Sequence, residues 1–220
     1  LNKEVLVVSR NKTFSNSLLG ETSFFTGGAA REVAFHYLAN NEMPDLVRVR
    51  DIDVLLGGVT PELEGLLDES YLDYREVYNY INEETPQDSC SIAEQAMQVM
   101  QVDVNINQCL LGKHFLWISS ALIEGWLKKE VSLTWDSNGK EAIRAHFFAF
   151  RYGFATKANL PLVDSYYLVA ERKAEQLGLS LEWEAYLADK PKVKPEEDEE
   201  IQVELVLDDG AILVVEEKKQ

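Results

Sequence analysis

TGGAAREVAFHYLAN at residues 26–40, followed by VRVRDIDVLLGG at residues 47–58, is the stretch on which the fold assignment turns. The first piece opens on a Gly-Gly turn and continues in helix-compatible residues, with Val33, Ala34, Tyr37 and Leu38 grouped on one face. Asn40 and Asn41 end that helix, and Pro44 blocks its continuation. The second piece reads as an extended segment marked by Val47, Val49, Ile52 and Val54 and stopped by Gly57-Gly58. Its alternation breaks near Arg50, which fits either a bulge or a strand that begins there.

On that strand Asp51 and Asp53 fall on one face, while Ile52 points into the opposite layer. Two neighbouring carboxylates repel one another unless a cation or hydrogen-bond donors hold them. Magnesium (or manganese) answers that need, since it takes hard oxygen ligands and can bridge a triphosphate. Upstream, Gly27 and Gly28 form a turn without side chains, which can bring backbone donors close to phosphate oxygens. Arg31, one helical turn on, reads as a phosphate contact or as a salt-bridge partner of Asp51. The plain alternatives are a tight turn for the glycines and solvated surface for the acids.

Working outward, LNKEVLVVSRNK suggests a short strand ending in polar turn residues. Residues 60–89 are acidic and aromatic, with a helix-compatible first part and with Tyr71, Tyr74, Tyr78 and Tyr80 read as packing residues. Met97 to Ile106 alternates like a strand. HFLWISSALIEGWLKKE has helical spacing that Gly125 weakens, and VSLTW is a short strand. DSNGKEAIRAHFFAFRYGF begins with capping residues and becomes strongly amphipathic. Two more helices are expected over 162–177 and 180–188. Pro191 and Pro195 frame a basic-then-acidic linker, beyond which IQVELVLDDGAILVVEE reads as two strands joined at Asp209-Gly210.

Charge limits the partners. The net charge is −17, and residues 195–220 alone contribute −8 from ten acids and two lysines. Such a surface repels a polyphosphate backbone unless cations are gathered locally, so nonspecific binding to duplex DNA is not expected. No apolar run is long enough for a membrane span. The opening lacks the features of a secretory signal. Cys90 and Cys109 form neither a disulfide framework nor a zinc set. The expectation is a reduced, cytoplasmic protein.

TGGAAREVAFHYL followed by VRDIDVLLGG resembles the opening of the polymerase-beta-like nucleotidyltransferase superfamily, especially tRNA CCA-adding enzymes and bacterial poly(A) polymerases. That pattern runs approximately GGAVRD and then DxD. Gly27, Gly28, Ala29 and Arg31 match it, Glu32 replaces an Asp, and Asp51 and Asp53 match the metal pair. DVNINQCLL is similar to a DFTINAM-type motif through Asp103, Ile106 and Asn107. AIRAHFFAFRYGF is similar to RAxRFAARLGF through Arg144, Ala145, Phe148, Ala149, Arg151, Gly153 and Phe154. The paired arginines usual before the DFTIN-type motif are Gln101 and Val102 here. The acid–base pair of the nucleotide-recognition motif corresponds to Asn138 and Glu141, or in a shifted register to Glu141 and Arg144.

The resemblance implies an α/β (α+β) fold: a nucleotidyltransferase-like mixed sheet flanked by helices, with C-terminal helices and an acidic β-hairpin. Residues 1–135 would form the head, 136–190 a helical neck-like region, and 191–220 the linker and hairpin. Asp51, Asp53 and Asp103 are the candidate catalytic carboxylates, with Asp51 and Asp53 on the metal. Three roles stand open for Asp103: third carboxylate, member of a nucleotide-pocket motif, or capped strand-end residue. Gly27, Gly28, Arg31, Asn107, Arg144 and Arg151 are the candidate nucleotide and phosphate contacts, Asn107 as pocket support. For Arg144 and Arg151, salt bridges to nearby acids are an equal alternative. The implied partners are a nucleoside triphosphate and a hydroxyl acceptor on RNA, a small molecule or a protein. A catalytically inactive scaffold that binds proteins, through the acidic hairpin for instance, and an acidic nucleic-acid mimic are the rival functions.

Overall fold

Alternation builds the first sheet. In β1 (Leu6–Ser9) Val7 is buried with its neighbour Val5, while Leu6 and Val8 are half-buried. The computed structural model describes residues 3–9, 12–21, 23–50, 52–56, 99–135, 139–193, 201–206 and 212–217. β1 pairs antiparallel with β2 (Lys12–Ser15), a strand that the sequence pattern did not announce because three of its four residues are polar. Phe14 is its apolar anchor, buried opposite Val7. β4 (Leu46–Val49) joins the other edge of β1 in parallel.

The second sheet is antiparallel throughout, in the order β5-β3-β6-β7, with β3 Ser23–Thr26, β5 Asp53–Leu56, β6 Cys109–Leu111 and β7 Leu116–Ile118. The break at Arg50 is therefore a change of sheet: β4 belongs to the first and β5 to the second. Ser9 Oγ donates to the Arg50 carbonyl at 2.5 Å, and Ile52 is buried between the two strands. Asn16 ties the sheets together, accepting from Val5 N at 2.8 Å and donating to the Gly112 and Lys113 carbonyls at 3.2 Å.

α1 (Gly27–Asn40) follows β3 directly and ends on Asn41, whose φ of 56° is the left-handed cap that short amides tolerate. Ala29, Ala30 and Ala34 are fully buried, and their small side chains let α1 pack closely against β3 and β6. α2 (Ser120–Lys128) is capped by Ser119 Oγ, which accepts from Leu122 N at 3.0 Å. The short β8 (Glu130–Val131) then pairs in parallel with β9 (Ala155–Thr156).

Residues 99–107 depart from the expected strand. Val104 makes a single bridge to Leu133, and Asn105–Asn107 is a 3-10 turn. Asn105 sets this path: its amide donates toward the Ala121 and Glu130 carbonyls, and its oxygen accepts from Ser132 N at 3.0 Å. Residues 103–107 are all buried, so alternation has no exposed face to report.

α3 (Lys140–Tyr152) joins two cores. Ala145, Phe148, Ala149 and Tyr152 face the main core of sheets and α1. Ile143, Phe147 and Phe150 face a second core formed with α4 (Tyr166–Gln176), α5 (Ser180–Ala188) and the buried Trp183. These are the two i, i+4, i+7 stripes of one helix. β10 (Leu160–Pro161) pairs in parallel with β11 (Lys192–Val193), so residues expected in the linker belong in part to a strand. β12 (Ile201–Val206) and β13 (Ile212–Glu217) pair antiparallel. The result is a mixed α/β fold with several sheets and C-terminal helices. Among the described residues, no helix is long and apolar enough to cross a membrane. The helix and tyrosines expected over 60–89, and the turn at Asp209-Gly210, lie outside the described residues.

Two stability measurements check this packing. A Cβ on Gly125 would sit 2.3 Å from Asn105 Nδ2 and 2.8 Å from the Glu130 carbonyl. Gly125→Ala should therefore lose about 1–3 kcal/mol in denaturant unfolding, although alanine is the better helix former. His146 is held below its ordinary pKa, chiefly by burial, with Lys190 acting in the same direction against the Ala158 carbonyl. Nε2 donates to that carbonyl at 2.7 Å, leaving Nδ1 to accept from Tyr186 Oη at 2.9 Å. The unfolded chain takes up this proton near pH 6.5, roughly, before the folded one does, so stability falls as pH drops below that value. The stability difference between wild type and His146→Gln should shrink between about pH 7 and pH 5; a constant difference would show that another group titrates.

Candidate metal–nucleotide site at the start of the first long helix

Thr26 ends β3 in extended geometry, and Gly27 begins α1 with φ of +55°. Thr26 pairs with Asp53 across the antiparallel register, which lays the Asp53 side chain over the Gly27 backbone. A Cβ on Gly27 would meet Asp53 Oδ2 at 2.2 Å. Glycine is thus required twice, by the left-handed backbone and by the carboxylate above it. Gly28 faces the Val49 side chain and Arg31 Nη2, each 3.8 Å from the position its Cβ would take. The end of β4 and the start of β5 therefore flank the helix start. Asp53 is half-buried, and Ile52 turns the other way into the core, as the strand period requires. A helix amino terminus presents unpaired N–H groups and favours negative charge, so a carboxylate here is electrostatically at home. Asp51 lies outside the described residues.

Arg31, expected as a phosphate contact or as a partner of Asp51, is turned into the core. It is 4% exposed, its Nη1 donates to Asn107 Oδ1, and its Nε donates to Tyr152 Oη at 2.9 Å. Its guanidinium also lies 4.5 Å over the Phe148 ring. Burial pulls its pKa down, but Tyr152 and Glu32 outweigh that and hold it raised. Asn107 thus orients a neighbouring group, here Arg31.

Arg144 and Arg151 also take the salt-bridge alternative. Arg151 Nη2 contacts Glu32 Oε1 at 3.0 Å, and Tyr152 Oη donates to the same oxygen at 2.6 Å. Arg144 Nη1 approaches Asp103 Oδ2 to 2.8 Å without hydrogen-bond alignment, so the contact is an ion pair rather than a bidentate fork. Asp103 sits in the turn before the 3-10 segment, not on a strand beside β5, and its carbonyl accepts from Thr134 N at 3.0 Å. Burial raises the Asp103 pKa, with Arg144 opposing and Glu141 adding to the rise. Among the described residues, which exclude Asp51, no group of three or more His, Cys, Asp or Glu is placed to hold a metal ion. Burial drives the Cys109 thiol up to about 12, against the pull of Arg31, so it is packing and not a nucleophile.

Tyr152 is the residue that the sequence reading missed. Its hydroxyl is bonded to Glu32, 120 positions away, a contact between α1 and α3 that no local signal announces. No protein-family model matches this chain, and no curated protein matches it in sequence.

Gly27→Ala should destabilise the protein by about 1–3 kcal/mol from backbone strain, with the carboxylate clash adding to it. Combining it with Asp53→Ala should recover the clash and leave the strain, so the double variant should be more stable than the two single losses predict. Strict additivity in thermal unfolding would show that Asp53 does not press on Gly27.

Proposed function

We propose that this chain is a metal-dependent nucleotidyltransferase head, transferring a nucleoside monophosphate from a nucleoside triphosphate to a hydroxyl acceptor. The observation that carries the reading is the Asp53 carboxylate held against the left-handed Gly27 at the amino terminus of α1. That junction puts an acid beside a glycine turn at a helix amino terminus, a combination suited to a phosphate chain carrying divalent cations. Asp51 and Asp53 supply hard oxygen donors of the type magnesium takes, and the ion would contribute charge neutralisation at the triphosphate. Gly27 and Gly28 would offer backbone donors to a phosphate at the helix start, and Arg31 and Asn107 are bonded to each other in the core nearby. The acceptor oxygen would bond to the α phosphorus as the bond to pyrophosphate breaks, with positioning as the protein's main contribution.

A second reading has its own support. The side chains of Arg31, Arg144 and Arg151 are engaged with Asn107, Asp103 and Glu32 respectively. Cations turned inward in this way suit a head that has given up catalysis and acts as a protein-binding scaffold. Titration calorimetry of the four nucleoside triphosphates with magnesium separates the two. A transferase binds at least one of them, and Asp51→Asn or Asp53→Asn weakens that binding at least about tenfold with an unchanged circular-dichroism spectrum. Absence of binding with both magnesium and manganese, in a folded wild type, would leave the scaffold.

A further inference from the structure

The middle of α1 lines a second feature, an open pocket of about 770 Å³ between α1, β4 and the ends of α2 and α3. Its wall is aromatic: Phe35 packs 4.8 Å from Trp126 and 5.0 Å from Tyr152, and Phe154 lies 6.0 Å from Trp126 by ring centroids. Its rim is cationic. Arg48, exposed on β4, and Lys129, at the end of α2, both line it, and neither makes an ion pair among the described residues. The acid in the lining, Glu32, is already bound to Arg151 and Tyr152.

Lys129 is held in an uncommon way. Its φ of 54° is left-handed, a conformation at a helix end that normally selects glycine or asparagine. The ammonium lies 3.5 Å from the Trp126 ring centroid and 5.2 Å from that of Phe154, so it is fixed over the aromatic wall instead of extending into solvent. On a chain of net charge −17, two cations without acidic partners among the described residues, beside an aromatic wall, are a local reversal of sign.

We propose that this pocket binds an aromatic anion, its acidic group toward Lys129 and Arg48 and its ring along the Tyr152 and Phe154 side of the wall, beside the Trp126 face that Lys129 covers. The pocket falls within the volume range of small-molecule sites and combines an apolar wall with a few polar groups that fix orientation. The two cations favour an anion over a neutral ring. The site stands apart from the Gly27–Asp53 junction and does not depend on the function assigned there.

The test uses the full chain and two matched probes, 2-naphthoate and its neutral isostere 2-naphthamide, followed by calorimetry at low salt. Naphthoate should bind saturably and naphthamide at least about tenfold more weakly, a gap that narrows as salt screens the rim. Lys129→Gly suits the left-handed backbone and so keeps the fold, and it should weaken naphthoate about fivefold. Arg48→Gln, on an exposed strand position, should act in the same direction. A saturating nucleoside triphosphate with magnesium should leave naphthoate binding unchanged. Equal binding of the two probes, no saturable binding of naphthoate, full affinity in both variants, or competition by the triphosphate would each overturn the proposal.

Discussion

A buried guanidinium governs this structure. Arg31 lies in the first turns of α1 with almost no exposure, and a charge in that position is tolerated only where its donors and its field are met. Its partners come from three places: Asn107 from the 3-10 turn, Tyr152 and Phe148 from α3, and Glu32, through Tyr152, from α1 itself. The placement of α3 against the sheets is thus coupled to the ionisation of one side chain. Ala29 and Ala30 on α1 and Ala145 and Ala149 on α3 are buried in the same core.

From that seam α1 presents two different stretches. At its start, a backbone turn with no side chain lies under the Asp53 carboxylate, where helix N–H groups and an acid meet. In its middle, Phe35 joins the aromatic wall beside Lys129. The first is the basis of the proposed phosphate and metal site, and the second of the proposed anion site.

The elements that the sequence made legible are those whose cause is local. α1 could be bounded by Gly27 and Asn41, α3 announced by the capping residues and amphipathic run of 136–154, and α4 and α5 placed within 162–177 and 180–188, since each signal needs only neighbouring residues. β2 escaped notice because Phe14 is its sole large apolar residue. Residues 99–107 misled because alternation assumes one wet face, whereas Asn105 and Asn107 are buried and bonded across the chain. In the candidate site, Gly27 and Asp53 were both marked in advance, the one by its turn chemistry and the other by its neighbour Asp51. The partners of the arginines were not marked, since Arg31 and Tyr152 are 121 positions apart, and charge alone does not choose among so many acids.

The sequence by itself determined where the backbone must turn or coil, because φ preferences and side-chain periodicity act over a few residues. It also determined that the surface would be acidic, since most charged groups must remain in water. Only the tertiary structure decided that the break at Arg50 passes the chain from one sheet to another, that Asp53 rests on Gly27, and that Lys129 lies over Trp126. Those outcomes follow from which surfaces pack together, and the energy of a close contact depends on distances that no local stretch of chain contains.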